Sequence, residues 1–265
     1  DYQIPEAILN WPAHGSVDLG QSYYLAPFID VNENGFYDPQ LGDYPDVKGD
    51  QSIYIIRNDA GNTHTESGGE QMGIEQHLMF YAYNCEDIQV LNHTIFVSST
   101  IFNRGVNNLS DVYYGTYLDV DLGWYLDDLI GCNVNLNLGY GYNGQSIDWN
   151  GGVFGTGYGE SPPAQGLVFL NKPMSKFVYW ANNFSDYGNP ESANDYYNYL
   201  KGMYKNGQPI TFGDYGFGGN LNANYMFPAN TDPQYPSLSW IDGDENFYSL
   251  PKPHIKENVL NFSFS

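Results

Sequence analysis

The sequence has very few basic residues, and this shortage excludes one large class of partner. Only nine Lys and Arg stand against 31 Asp and Glu, which gives a formal net charge of −22. A phosphate backbone would be repelled by such a chain, so we exclude nucleic acid as a partner. A surface this acidic favours Ca²⁺, which also relieves its self-repulsion.

Long apolar runs are absent too. No segment approaches the roughly 20 apolar residues that a transmembrane helix needs, so we expect no membrane insertion. The absence of a signal peptide fits either a cytosolic chain or an already processed one, and the start at Asp1 without Met favours the second. Low lysine content with 25 Tyr and 30 Gly also indicates an extracellular, cell-surface protein.

Cysteine is scarce, and catalytic signatures are missing. Cys85 and Cys132 both lie at the ends of strand-like segments. They would form one disulfide in an oxidising compartment, with two buried free thiols as the alternative. No Gly-x-Ser-x-Gly elbow, phosphate-binding loop or dinucleotide fingerprint occurs. The sequence therefore predicts a protein that is not an enzyme.

The abundant residues are those of strands and turns. Tyr and β-branched residues suit pleated surfaces, and Asn and Gly suit turns. Many short strand-like segments and one helix, Ser192–Lys205 with Ser192 as N-cap, predict an all-β domain of the β-sandwich or jelly-roll kind with long ordered loops. We predict a loop-rich N-terminal arm over 1–50, a sandwich core over 51–250, and a Pro-containing spacer with a final strand over 251–265.

The most informative motif is the loop from Asp30 to Asp38. Its side-chain oxygens stand at loop positions 1, 3, 5 and 9, with Gly35 at position 6, which is the spacing of a calcium loop of the EF-hand type. Leu41 replaces the expected bidentate Glu, and Asp43 or Asp46 could supply the last carboxylate. An ordinary Asn/Gly/Asp turn is the alternative. The predicted Ca²⁺ ligands are Asp30, Asn32, Asn34, Phe36 through its carbonyl, Asp38 and Asp43.

A second acidic segment places four carboxylates in one strand and turn. Such crowding is costly unless a cation neutralises the groups or they face solvent. We predict a second Ca²⁺ site here, and a catalytic carboxylate pair is the weaker alternative because hydrolase pairs usually come from separated strands. The ligands of this second site would be Asp119, Asp121, Asp127 and Asp128.

Two histidines near a carboxylate suggest a zinc set. Glu75 and His77 share one face of a strand, and His64 could complete the set. No HExxH element accompanies them. Histidines that are buried and hydrogen-bonded within a sheet are the commoner arrangement, and we favour it.

Four Asn-x-Ser/Thr triplets are compatible with an exported glycoprotein. An Asn-rich chain also contains such triplets by chance. The candidate glycosylation residues are Asn92, Asn108, Asn183 and Asn261.

The last segment alternates apolar and polar residues behind Pro251 and Pro253. Such a strand either closes the sheet of its own domain or adds to an exposed sheet edge of a neighbouring copy. The second arrangement, repeated head to tail, gives an open filament. The residues predicted to contact the next subunit are Val259, Leu260, Phe262 and Phe264.

Several blocks of the sequence occur in a familiar order. They include Asn10–Gly15, Leu25–Asp30, Gly42–Pro45, His64–Gly69, Asn198–Gly202 and Tyr215–Gly219. Over residues 4–235 these blocks resemble an uncharacterised β-rich module of secreted surface proteins exported by the bacterial type IX, or gliding-associated, route. The resemblance implies an extracellular β-rich module and brings no catalytic residues. Family members continue into further β-domains, whereas this sequence ends soon after Ser249 in a strand, which suits a short subunit that polymerises.

Together these observations predict an extracellular structural protein, a Ca²⁺-stabilised subunit of a surface filament whose partners are copies of itself. The alternative is a carbohydrate-binding adhesin module, in which exposed Tyr and Trp rings stack on glycans. A glycan hydrolase that uses Glu66, Glu70 or Glu75 is the least favoured hypothesis.

Overall fold

A computed structural model describes residues 2–243 and 256–263, with Phe154 and 256–263 described by their backbone only. Strands account for 30% of the structure and helices for 12%. The fold is all-β and sandwich-like, without closure into a barrel, and the predicted fold class is confirmed. In the described part of the chain no helix is long and apolar enough to cross a membrane.

The chain forms two compact units. Unit 1 contains Asp1–His64 and Glu70–Asn108, and unit 2 contains Thr65–Gly69 and Leu109–Ser265. The predicted arm over 1–50 therefore belongs to unit 1. The range 51–250, predicted as one core, is divided between the two units.

Unit 1 is built around an antiparallel sheet of three strands. These strands pair in the order in which they occur along the chain, β3-β4-β5. A two-stranded ribbon, β1-β2, stands before them. The bounds of the elements are α1 Glu6–Leu9, β1 Phe28–Ile29, β2 Tyr44–Pro45, β3 Gln51–Asn58, β4 Ile74–Ala82, α2 Gln89–Asn92 and β5 Phe96–Asn103, with 3₁₀ turns at Val17–Leu19 and Pro39–Leu41.

Unit 2 contains two three-stranded sheets and one short ribbon. The sheets have the orders β11-β8-β7 and β12-β13-β6, and the ribbon pairs β10 with β9. The bounds are β6 Tyr113–Asp119, β7 Asp128–Asn133, β8 Leu138–Asn143, β9 Ile147–Asp148, β10 Gly159–Glu160, β11 Ala164–Val168, β12 Lys176–Ala181, α3 Ala193–Leu200 and β13 Lys256–Ser263, with 3₁₀ turns at Tyr125–Asp127, Val134–Leu136 and Gly152–Phe154.

The core of unit 2 is centred on β12, whose residues 177–180 are all buried. Much of the packing against β12 comes from segments without regular structure between residues 203 and 240. Their backbone is held by turns and isolated bridges, as the prediction of long ordered loops requires. The buried cluster includes Ile130, Phe177, Val178, Tyr179, Trp180, Tyr199, Tyr204, Met226, Phe227 and Trp240.

Helix α3 begins where the sequence predicts and ends earlier. The Asp195 backbone N–H donates to Ser192 Oγ at 3.3 Å, and the Ser192 N–H donates to Asp195 Oδ2 at 3.0 Å, which completes a capping box. The helix ends at Leu200 because Gly202 adopts a left-handed φ of 74°.

The two cysteines are free thiols and form no disulfide, and only one of them is buried, so the alternative of two buried thiols holds for that one alone. Cys132 is enclosed in the core of unit 2, and its thiol lies 3.5 Å from the Met226 carbonyl oxygen, which accepts its hydrogen bond. Cys85 is half-buried in a loop of unit 1.

Candidate functional site

Strand β13 fills the gap between β6 and β12, which we call the strand slot. It runs antiparallel to both neighbours, with seven residue pairs to β6 and six to β12. Val259 lies opposite Tyr117 on one side and Val178 on the other. Since strands stand about 4.8 Å apart, removal of β13 would leave β6 and β12 roughly 10 Å apart, too far to pair with each other. Both would then have an unpaired edge.

The strand slot is filled by a segment that is distant in sequence from both neighbours. Helix α3 and a long run of loops separate β12 from β13. Twelve residues, 244–255, connect Gly243 to the strand. A fully extended segment of that length spans at most about 40 Å, comparable with the diameter of a small domain.

The predicted subunit-contact residues are partly described. The backbones of Val259, Leu260 and Phe262 belong to β13, and Phe264 lies outside the described residues. The single chain pairs this segment with its own sheet, which is one of the two arrangements left open by the sequence. Pairing with a neighbouring copy stays a prediction.

The predicted calcium loop in unit 1 closes around its own side-chain oxygens. The Asp30 carboxylate accepts hydrogen bonds from the Asn34 N–H at 3.2 Å and the Gly35 N–H at 2.7 Å. Asn34 accepts from the Phe36 N–H at 2.8 Å and donates through Nδ2 to Asp38 Oδ2 at 2.7 Å. Gly35 has φ 81°, the left-handed conformation that the sharp turn requires. Positions 1, 5 and 9 of the loop are thus held together.

Asp43 clamps the base of this loop. Its carboxylate is 2% exposed and accepts from the Val31 N–H at 2.9 Å and from the Asp38 N–H at 2.7 Å. The pairing of β1 with β2 places Asp43 there, because Asp43 immediately precedes β2. The loop brings together carboxylate and amide oxygens, the ligand type that Ca²⁺ prefers, but none of the described Asp, Glu, His and Cys side chains form a group of three that could hold a metal, so this Ca²⁺ site stays a prediction.

His14 supports the loop from the side, a role that the sequence did not reveal. Its Nε2 accepts the Tyr37 N–H at 3.1 Å, and its Nδ1 lies 3.3 Å from the Tyr23 carbonyl oxygen. The imidazole is therefore neutral with its proton on Nδ1. Its ring packs on those of Tyr23, Phe28 and Phe36.

The four aspartates predicted as a second Ca²⁺ site lie in different environments. Asp119 and Asp121 are exposed, and Asp127 is half-buried. Asp128 is 3% exposed, and its Oδ2 accepts the Leu122 N–H at 2.7 Å. Within 2–243 and 256–263, no three Asp, Glu, His or Cys side chains form a group that could hold a metal. A second Ca²⁺ site therefore stays a prediction.

Buried aspartates outside the two predicted Ca²⁺ sites hold other loops of unit 2. Asp148 accepts from the Trp124 N–H at 3.2 Å and from the Tyr158 N–H at 2.7 Å. A Cβ at Gly123 would come within 1.9 Å of Asp148 Oδ2, so this clamp requires glycine at that position. Asp242 accepts the Ile130 N–H at 3.0 Å.

The Glu75–His77 pair is a hydrogen-bonded network within the sheet, as favoured from the sequence. His77 contacts Tyr54 Oη at 2.8 Å and Glu75 Oε1 at 3.0 Å. Arg104 donates to the same Glu75 oxygen at 2.7 Å. Burial raises the pKa of Glu75, but the bonds from Arg104 and His77 outweigh it and hold the pKa below its usual value. His64 instead contacts the Asp59 carbonyl oxygen, so no zinc set forms.

The other residues of the hydrolase hypothesis and the glycosylation triplets lie on the surface where their side chains are described. Glu66 and Glu70 are exposed. The asparagines Asn92, Asn108 and Asn183 are exposed as well, and only the backbone of Asn261 is described. Glycan attachment stays a prediction at each.

No protein-family model, curated protein or solved structure matches this chain. The resemblance to the type IX surface module therefore stays a hypothesis.

Proposed function

We propose that this protein is an extracellular structural protein, a Ca²⁺-stabilised subunit of a cell-surface filament that assembles by exchange of strand β13 between copies. The observation that supports the proposal is the position of β13 in the middle of its sheet. This middle strand follows a connecting segment of twelve residues, so one copy could donate it to another.

Exchange would replace every backbone pair by an identical one. The slot of a second copy offers the same seven positions on β6 and six on β12. The bonds made therefore equal the bonds lost, and protein concentration and the connecting segment decide between the closed and the exchanged forms. An empty slot would be costly, because buried N–H and C=O groups on two strand edges would lack partners.

The geometry of donation decides what assembles. If each copy donates its strand to a different copy from the one whose strand it receives, the contact is heterologous and the assembly is an open filament. If two copies donate to each other, the assembly closes as a dimer. We propose the first arrangement.

Calcium contributes by neutralising charge. Each copy carries a formal charge of −22, so neighbouring copies in a filament repel one another. A Ca²⁺ ion held by Asp30, Asn32, Asn34 and Asp38, with the Phe36 carbonyl, would offset two carboxylates per copy and fix the loop. From the resemblance of its blocks, we also propose that the protein is a module of secreted surface proteins of the type IX route.

The experiment uses the register of the sheet. Thr116 and Leu260 are directly paired in the structure. One chain carries Thr116→Cys and the other Leu260→Cys, both in a Cys85→Ser background, and the two are mixed at high concentration with Ca²⁺ under mild oxidation. We expect a disulfide between the two different chains, and filaments by electron microscopy.

The double variant Thr116→Cys/Leu260→Cys in one chain is the matched control. A disulfide within that chain, with none between the mixed single variants at any concentration, overturns the exchange. Closed dimers without filaments overturn head-to-tail assembly. A chain that ends at Ile255 gives a further check, because we expect it to form no filaments, and a free peptide of residues 256–265 should fill its slot without restoring them.

A further inference from the structure

Unit 2 contains a cavity of about 480 Å³, which we call the aromatic pocket. It lies between α3 and the two strands that flank β13. This volume falls in the range of small-molecule sites, roughly 300–1,000 Å³. Its lining includes Gly115 and Tyr117 of β6, Trp180 of β12, Asn189, and Tyr196 and Tyr199 of α3.

The inner wall of the pocket is fixed in place. Trp180 and Tyr199 are 3% and 1% exposed, and their rings stack with centroids 4.6 Å apart. Trp180 Nε1 donates to Asn189 Oδ1 at 3.2 Å, and the Tyr199 hydroxyl donates to the Gly188 carbonyl oxygen. Because these rings are already held, a ligand would meet a preformed surface and little ordering would oppose binding.

The outer wall is accessible. Tyr117 is 48% exposed and stacks on Trp180 at 5.6 Å, and Tyr196 is 38% exposed. Gly115 contributes no side chain, which leaves room beside these rings. The pocket thus combines buried aromatic rings with two exposed tyrosines, whose hydroxyl groups can donate and accept hydrogen bonds.

The described part of the lining is uncharged, which favours a neutral ligand. No described residue of the pocket carries a charge. A cation would find no carboxylate among them, and an anion would be repelled by a chain of net charge −22. A ligand with flat apolar faces and hydroxyl groups at its edges would use the exposed rings and the hydroxyl groups of Tyr117 and Tyr196.

We propose that the aromatic pocket binds a pyranose ring of a neutral glycan. Sugar rings present C–H faces to aromatic side chains and hydroxyl groups to phenols, and Tyr117 and Tyr196 offer both kinds of partner beside a rigid inner wall. The pocket needs a filled strand slot, because β13 lies between the two strands that line it, but it would form with the chain's own strand or with that of another copy.

The test is a titration of the full chain in Ca²⁺ with maltopentaose, cellopentaose and chitopentaose, followed by calorimetry and Trp fluorescence. We expect at least one of these neutral oligosaccharides to bind and to change the emission. Tyr196→Ala should weaken that binding at least about tenfold. Gly115→Val should abolish it by filling the pocket, since Val suits a strand.

Phe184→Ala is the matched control, because Phe184 is a 79% exposed aromatic residue of unit 2 outside the pocket lining. We expect it to bind like the unaltered chain. Circular dichroism checks that each variant is folded. The proposal is overturned if none of the three oligosaccharides binds, if binding survives both pocket substitutions in folded protein, or if only an apolar probe such as indole binds.

Discussion

Two three-stranded sheets of this protein are built from the chain in different ways. In unit 1, β3, β4 and β5 follow one another in sequence and pair in that order. In unit 2, β13 lies between β6 and β12, although a long stretch of sequence separates it from both. The first sheet depends on local pairing, which forms readily, and the second depends on long-range pairing, which costs more loop entropy.

The burial of the two sheets differs as well. Ile53 of β3 and Val97 of β5 are 60% and 52% exposed on one face. Phe177 and Val178 of β12 are 1% and 0% exposed, on opposite faces of the strand. The comparison teaches that strand β12 of the non-local sheet is buried on both faces, whereas the outer strands β3 and β5 of the local sheet each leave one face exposed.

The largest effect should come from truncation in the buried sheet. Phe177→Ala is expected to lower the free energy of unfolding by about 3–5 kcal/mol, because it leaves a cavity in the core. Ile53→Ala, at an exposed strand position, is the matched control and should cost less than about 1 kcal/mol. Urea denaturation measures both, and equal losses would contradict the comparison.

The second largest loss of stability should come from removing the buried aspartates that each accept hydrogen bonds from two backbone N–H groups. Asp43→Ala in unit 1 and Asp148→Ala in unit 2 each leave two backbone N–H groups without their acceptor, and each should cost about 1–3 kcal/mol. Asp121→Ala, at an exposed residue, is the control and should change little. A cost at one clamp only would show that the two units do not use this device alike.

Calcium should stabilise unit 1, which contains the Asp30–Asp38 loop, and so distinguish it from unit 2. At a free concentration a hundredfold above its Kd, Ca²⁺ should stabilise the folded state by about 2.7 kcal/mol and raise Tm. Chelation should reverse the rise, and Asp30→Ala should abolish it. Calorimetry with and without chelator measures the effect. The same rise in Asp30→Ala would place the ion elsewhere.

Acid should weaken the network of Glu75 in unit 1. The pKa of this carboxyl is lower in the folded state than its usual value of 4.5, so the unfolded chain takes up its proton first as pH falls. The stabilisation is therefore present above pH 4.5 and is lost as pH falls through the folded-state pKa. Denaturation curves between pH 3 and 7 should lose part of this dependence in Glu75→Gln. An unchanged profile would contradict the role given to Arg104 and His77.

The smallest effect is chemical and leaves the fold intact. Burial raises the pKa of the Cys132 thiol well above its ordinary value, while Cys85 is half-buried in a loop. Iodoacetamide should label Cys85 in the folded protein and both thiols only after unfolding. Mass spectrometry distinguishes the two. Rapid labelling of Cys132 in folded protein would mean that the core of unit 2 opens.

Part of the candidate site follows from spacing alone. The oxygen positions between Asp30 and Asp38 and the glycine at Gly35 are local properties, and the structure shows the tight loop that they require. The capping box of Ser192 and Asp195 is local in the same way. The role of Asp43 was harder to predict, because its contacts depend on the pairing of β1 with β2.

Other features depend on contacts that spacing does not encode. The neutral His14 that accepts the Tyr37 N–H joins residues 23 positions apart. Asp148 reaches Trp124 only after two loops have come together. The aromatic pocket is lined by residues of β6, β12 and α3, and the sequence of each of these predicts only an ordinary strand or helix.

The sequence by itself determined the all-β class, the acidic character, the start of α3 and the compact loop at Asp30–Asp38, because these follow from composition and from contacts within a few residues. Only the tertiary structure decided that β13 lies between β6 and β12, that Cys132 is a buried thiol, and that aspartates clamp distant loops. Strand partners and buried acceptors are chosen by packing between segments far apart in sequence. The alternation of residues 259–263 specifies a strand, and the edges available to it are set by the rest of the fold.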